Sequence, residues 1–271
     1  MGSLFLLQLA ASFVIGGSFI AALSFVAERV PARVAGVILA LPSTIALSYF
    51  FLGWATSSNA VAAVVPATFV ALGWCVLFVA CYVYCAKAAA RLSPGKGVHI
   101  LACFAVSTIG WAALAVPTAV VRWSNPWTGA AVYATLVLAS HFLLHREGHE
   151  KPPPLSYTLG QKVGRAVFAG FIVVLVVFLG KTIDPFWGAV FAVFPAAFSA
   201  TLMVIHWYYG PKALFPMAQE LPVGSLSIFI FALTAMFVFP PLGYALGTLV
   251  AFSAGLAAGA ISAALSRTWQ A

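Results

Sequence analysis

Apolar runs of about 20 residues follow one another from one end of the chain to the other, and a run of that length is what an α-helix needs to cross a bilayer. Broken at charges, Pro and Gly, they fall at residues 4–26, 31–54, 60–86, 98–121, 127–145, 163–180, 185–209, 213–239 and 242–265. Little is left from which a soluble domain could be built. The longest polar stretch, residues 146–162, holds Pro152, Pro153 and Pro154 and reads as a stiff, extended linker. Charge agrees with hydropathy. The 271 residues include 13 Lys or Arg and 5 Asp or Glu, 7% in all, against about 25% in soluble domains. A disordered chain, a nucleic-acid binder and a cytosolic enzyme are excluded together. The first run is too long for a signal-peptide core and no Lys or Arg precedes it, so it reads as a retained span. The expectation is an all-α integral membrane protein with nine transmembrane helices.

The basic residues orient those helices. Nine spans alternate the loops between two sides. Arg122 and Lys181 fall on the side of the N-terminus. Arg29, Arg33, Lys87, Arg91, Lys96, Arg146, Lys151, Lys162, Arg165, Lys212 and Arg267 fall on the other. Cytoplasmic loops carry the Lys/Arg excess. The expected localisation is the plasma (inner) membrane of a prokaryote, N-terminus outside and C-terminus cytoplasmic. The net charge of +8 is then orientation charge and calls for no nucleic acid.

Shifting the sequence by 153 residues lays VILALPSTIALSYFFLGW (37–54) on VFAVFPAAFSATLMVIHW (190–207). Pro42 falls on Pro195, Trp54 on Trp207 and Gly17 on Gly170. The first four spans fall on the sixth to ninth, and the fifth has no counterpart. Four crossings return the chain to its starting side, and the fifth sends it across. The second unit therefore begins on the opposite face. The expected organisation is a four-helix repeat (1–122), a linking helix with a cytoplasmic Pro-rich linker (123–160), and a second, inverted four-helix repeat (161–271). Many secondary transporters share this layout.

Pro42 and Pro195 lie near the middle of their spans. A mid-helix proline removes one backbone hydrogen bond and displaces the carbonyl four residues back, on Ile38 and Phe191. Ser43, Thr44 and Ser48 follow the first proline, and Ser199 and Thr201 the second. These hydroxyls satisfy freed backbone groups or bind a solute. Paired, interrupted spans in inverted halves are the best sequence pointer to a midplane site. Unwound helices would offer amide ends to an anion; merely kinked ones would offer carbonyls and hydroxyls to a neutral or cationic solute. Gly17 and Gly170 let backbones approach closely around this centre. Gly255 and Gly259, at G-x-x-x-G spacing in the ninth span, read as packing.

The segment AGVILALPSTIALSYFFLG (35–53) resembles the proline-centred helix of small bacterial membrane proteins of the GlpM-like family. Those proteins are about the size of one repeat. The resemblance covers some twenty residues and implies a fused, inverted pair of such units; it implies no substrate.

Among the acids, Glu220 lies about seven residues into the eighth span. It reads either as an intramembrane proton-coupling carboxylate or, if the helix begins only at Pro222, as an interfacial group near Lys212. Gln219 beside it is a candidate solute ligand. Asp184 before Pro185 reads as a helix N-cap. Glu28, Arg29 and Arg33 stand at the inner mouth of the second span, where Arg29 and Arg33 read chiefly as topology charges. His141, His145 and His149 share one helical stripe, but sequence places no further ligand beside them, so no metal is assigned. His206 with Trp207, Tyr208 and Tyr209 reads as an aromatic interface belt. Cys75, Cys81, Cys85 and Cys103 read as small buried apolar residues.

The function expected is a secondary transporter of a small solute, anionic in class if the proline-broken helices are unwound. It would work by alternating access, with no cofactor, and the lipid bilayer and a homo-oligomer are its other partners. A channel or lipid-handling protein is the alternative. A membrane enzyme acting on a lipid-linked substrate fits less well, because no catalytic cluster is visible.

Overall fold

The computed structural model describes residues 2–29, 41–89, 95–144 and 158–268, without side chains at 24, 27, 28, 197, 263 and 265–268. Among the described residues the structure is helical, with no strand. The helices are α1 (Ser3–Arg29), α2 (Ser43–Ala55), α3 (Ser58–Ala89), α4 (Lys96–Val120) and α5 (Pro126–Leu144). They continue as α6 (Leu159–Thr182), α7 (Pro185–Ala192), α8 (Ala196–Tyr209), a 3-10 turn (Pro211–Ala213) and α9 (Leu214–Thr268). Six stretches, Ser3–Leu23, Ser58–Ala89, Lys96–Val120, Pro126–Leu144, Leu159–Thr182 and Pro211–Ser262, are long and apolar enough to cross a membrane. This matches a multi-pass membrane protein. Ile38, the linker prolines, Arg33, His145, His149 and the Glu28 side chain lie outside what is described.

Exposure follows from the solvent. Leu4, Leu7, Val14, Leu101, Ile109, Leu246 and Leu249 are exposed apolar side chains on long helices, as groups facing acyl chains would be. The centre is α3, where Val65, Phe69, Leu72, Val76, Val79 and Val83 are buried on successive turns. Its neighbours reach it through small residues. A Cβ on Gly129 of α5 would lie 2.7 Å from the Pro66 carbonyl oxygen, and one on Gly73 would lie 2.7 Å from Leu136. The obstacle at Gly129 is backbone, which cannot turn aside, so Gly there sets how closely α5 and α3 approach.

At 55 residues α9 would be roughly 80 Å long if straight, far more than a bilayer's hydrocarbon thickness of about 30 Å. It is not straight. Gly243 has φ 77°, ψ 169°, a conformation open to Gly and strained for other residues. The chain folds back there. Gly247 meets Phe239, Gly255 meets Phe231, and both Gly255 and Gly259 meet Ser227, so two antiparallel arms pack on each other.

Cross-links between helix ends fix which termini share a face. Gln8 near the start of α1 donates to the Trp54 carbonyl at the end of α2 (3.0 Å). Arg122, after α4, pairs with Asp184, before α7. At the opposite face Tyr84 donates to the Leu143 carbonyl (2.6 Å) and Gln219 to the Leu144 carbonyl (3.1 Å). Lys162 of α6 lies 4.6 Å from the Phe25 ring near the end of α1. The described residues Lys87, Lys96, Lys162, Arg165 and Lys212 therefore sit toward one face, called the basic face below.

Candidate functional site

Two backbone breaks define the centre of interest. Between α7 and α8 the helix stops at Val193. The Phe194 amide donates to the Phe191 carbonyl (3.0 Å) and the Ala196 amide to the Phe194 carbonyl (2.7 Å). Pro195 has φ −74°, ψ 46°. Ahead of α2, the Ser43 amide donates to the Leu41 carbonyl (2.7 Å), and Pro42 has φ −75°, ψ 43°. Each proline thus centres an i to i+2 turn of the inverse-γ kind, and the helix that follows it opens with a bond to the proline carbonyl: Ala46 to Pro42 (2.9 Å) and Ser199 to Pro195 (2.8 Å). Between α7 and α8, where helix is described on both sides, the chain is unwound rather than kinked; ahead of α2 the described chain begins at residue 41. Among the described residues no side chain caps the amide end of α2 or of α8.

The breaks lie 153 residues apart, and other contacts repeat at the same interval. A Cβ on Gly17 would lie 2.9 Å from the Ala166 carbonyl oxygen, and one on Gly170 would lie 2.8 Å from the Phe13 carbonyl oxygen. Residues 13 and 166 are themselves 153 apart, so α1 and α6 cross reciprocally. Gln8 and Gln161 form another such pair, each near the start of its helix. Gln161 donates to the Tyr208 hydroxyl (3.4 Å) at the end of α8, as Gln8 does to Trp54 at the end of α2.

The hydroxyls expected at the breaks divide in role. The Ser199 hydroxyl donates to the Pro195 carbonyl (2.6 Å), satisfying the break itself. Ser48 Oγ is buried with no hydrogen-bond partner among the described residues. Thr201 accepts from an Arg165 guanidinium nitrogen (3.0 Å), and both are buried. Ser43 and Thr44 are half-buried on the first turn of α2. The Phe191 carbonyl is taken by the turn and not by a hydroxyl. Gly255 does more than pack helices: its Cβ position lies 3.0 Å from the Pro42 ring, seating the first break. The second break is covered by α4, whose Trp111 ring is 5.4 Å from Phe191 and 5.0 Å from Phe194.

Gln219 is buried and holds the end of α5. Glu220, one residue on, is exposed on α9, six residues into a helix that begins at Leu214 and not at Pro222. Asp184 caps α7 as expected, accepting from the Phe186 amide (3.0 Å). Cys75 and Cys103 are buried, Cys81 and Cys85 half-buried, all four as thiols, and no group of three metal-ligating side chains occurs among the described residues.

His206 departs from the expected belt. Trp207, Tyr208 and Tyr209 are exposed, but His206 is 4% exposed and turned inward. Its Nδ1 lies 3.2 Å from the Tyr82 hydroxyl, and its ring is 4.7 Å from that of His99. Four consecutive helical residues cannot share one face.

A cavity of about 520 Å³ opens on the flank of α4, α6 and α8. Among the described residues Arg165 is its only charged lining residue, beside Gln161. Phe104, Phe168, Met203 and Trp207 supply much of the apolar wall. The Phe168 ring also lies 6.1 Å from Phe194, which joins the cavity to the second break. Arg165 enters sequence reasoning only as a topology charge. The signal that finds it is its place six residues after the start of α6, inside the apolar run.

No family model, no curated protein and no solved structure matches the chain.

Proposed function

We propose that the chain is a secondary transporter that crosses a prokaryotic plasma membrane nine times and works by alternating access. In this reading Pro42 and Pro195 mark the unwound centres of two inverted four-helix units, and α5 is the linking helix. The solute site lies at midplane between the breaks. One observation carries the reading: two proline-centred turns 153 residues apart share the same backbone conformation, within 1° in φ and 3° in ψ. The reciprocal Gly17–Gly170 crossing at the same interval supports it. Unwound helices in corresponding positions of inverted repeats are where carriers hold their solutes. Amide ends without side-chain caps favour an anionic group there, through the dipole and the outward-pointing N–H groups.

The hairpin at Gly243 divides α9 into two arms, each of spanning length, and the basic face becomes the cytoplasmic one. Ser43, Thr44 and Ser48 on one side, and Thr201 on the other, are the solute-facing hydroxyls, with Ser199 stabilising the turn. Glu220, exposed on its helix, would couple protons only at the interface.

The test has two stages. A thermal-shift screen of purified protein against small anions, amino acids, sugars and cations selects ligands, because a bound ligand stabilises by mass action. Hits are then followed in counterflow into proteoliposomes. Counterflow in the wild type and its loss in Pro195→Ala, with helicity unchanged, is expected. Binding without flux, or a Pro195→Ala protein that carries solute at the wild-type rate, would refute the proposal.

A further inference from the structure

We propose that the cavity between α4, α6 and α8 binds an amphiphile with an oxyanion head, a carboxylate or phosphate held by Arg165, and an apolar body laid against Phe104, Phe168, Met203 and Trp207. The cavity is of ligand size, within the range of about 300–1,000 Å³. Its chemistry is two-sided. Apolar and aromatic groups make up most of the wall, and one guanidinium stands at it, 92% buried by its 8% exposure. A guanidinium fork matches the paired oxygens of carboxylate or phosphate, which an ammonium cannot do. Thr201 accepts from the guanidinium and Gln161, held by Thr158 and Tyr208, lines the same end of the cavity. A fully polar anion would leave the aromatic wall uncovered.

A second observation follows α4 from the cavity to the break. Ile100, Phe104, Thr108 and Trp111 recur at helical spacing on one stripe. The first two line the cavity, and Trp111 packs on Phe194 at the break. On this stripe, Thr108 Oγ1 and Trp111 Nε1 are buried with no hydrogen-bond partner among the described residues. Buried polar atoms are nearly always satisfied in the working state. Two on one stripe, leading from a charged cavity to an unwound helix, mark a track for a polar head moving toward midplane. The cavity opens sideways past Leu101, which is 64% exposed, so an amphiphile can enter from the membrane.

Transport is not needed to test this. Saturable quenching of tryptophan fluorescence by 10-bromodecanoate, in nanodiscs of zwitterionic lipid, reads binding beside Trp207. Trp207→Phe identifies the component. Arg165→Gln is expected to weaken binding roughly tenfold or more, the loss of one charge-assisted contact, with Arg165→Lys in between. Ala200→Phe, which fills the cavity and keeps Arg165, is expected to abolish the saturable component, and it covers the case in which Arg165→Gln fails to fold. Competition by decanoate alone places the ligand among free amphiphiles; competition by an added anionic phospholipid places it among membrane lipids. Equal midpoints for 10-bromodecanoate and 10-bromodecanol, or binding indifferent to both Arg165→Gln and Ala200→Phe, would overturn the assignment. This inference names the solute class of the proposed carrier but fails separately from it. Binding without counterflow removes the carrier and leaves the site, and counterflow of a solute indifferent to Arg165 does the reverse.

Discussion

Alanine at Gly17 and at Gly170 should each destabilise the protein, and the pair together should cost little more than one. A Cβ on Gly17 meets a carbonyl oxygen at 2.9 Å, and one on Gly170 meets another at 2.8 Å, where ordinary contact begins at 3.4 Å. Both obstacles are backbone, so neither can rotate away, and α1 and α6 must part by about half an ångström. Overpacking of this kind costs about 1–3 kcal/mol, and Ala returns up to about 1 kcal/mol of helix propensity over Gly. The expected net is about 1–2 kcal/mol for each single variant. Because the contacts are reciprocal across one crossing, the separation that relieves the first clash relieves the second. The double variant should then show a coupling of about 1 kcal/mol or more in a double-mutant cycle, measured by reversible unfolding in mixed micelles. Two single costs that simply add would mean that the glycines do not face each other across one crossing.

Gly110 makes the contrast, since a Cβ there meets nothing within 4 Å; Gly110→Ala should stabilise by about 0.5–1 kcal/mol in the same unfolding assay. Asp184 both caps α7 and pairs with Arg122, whose side chain is 67% exposed. Asp184→Ala should cost about 1 kcal/mol through the lost cap, and Arg122→Ala at most about 0.5 kcal/mol; equal losses would show that the ion pair dominates. Tyr49→Phe removes a buried hydrogen bond to Thr68 (2.6 Å) and should cost about 1–2 kcal/mol. Thr68 retains its bond to the Ala189 carbonyl (3.3 Å), so Thr68→Val should cost more.

Hydropathy and proline were the legible features. The apolar runs 60–86, 98–121 and 127–145 anticipate α3, α4 and α5 to within a few residues, because in lipid every backbone group must bond within its own helix. Pro195 marks its break because it cannot donate to the ladder. Rotational phase was not legible. On a helix apolar all round, no polar stripe says which face is inward, so sequence reasoning groups His206 with its exposed neighbours and reads Arg165 only as a topology charge. The pairing of Gln8 with Gln161 was present in the 153-residue shift, but only the structure gives the two glutamines a common task at the ends of α2 and α8. Glu220 and Gln219 show the same blindness: adjacent in sequence, they are separated by one helical step into an exposed carboxylate and a buried amide.

In the proposed carrier two like halves, facing opposite sides, open in turn. Ser48 and Thr201 occupy corresponding positions 153 residues apart. With the four native cysteines replaced, Ser48→Cys and Thr201→Cys can each be tested with a membrane-impermeant thiol reagent, added to right-side-out and to inverted vesicles. Thr201→Cys should react only from the basic face and Ser48→Cys only from the other, and a ligand that raises one rate should lower the other. Labelling of both positions from the same face, or rates that vary independently, would contradict it.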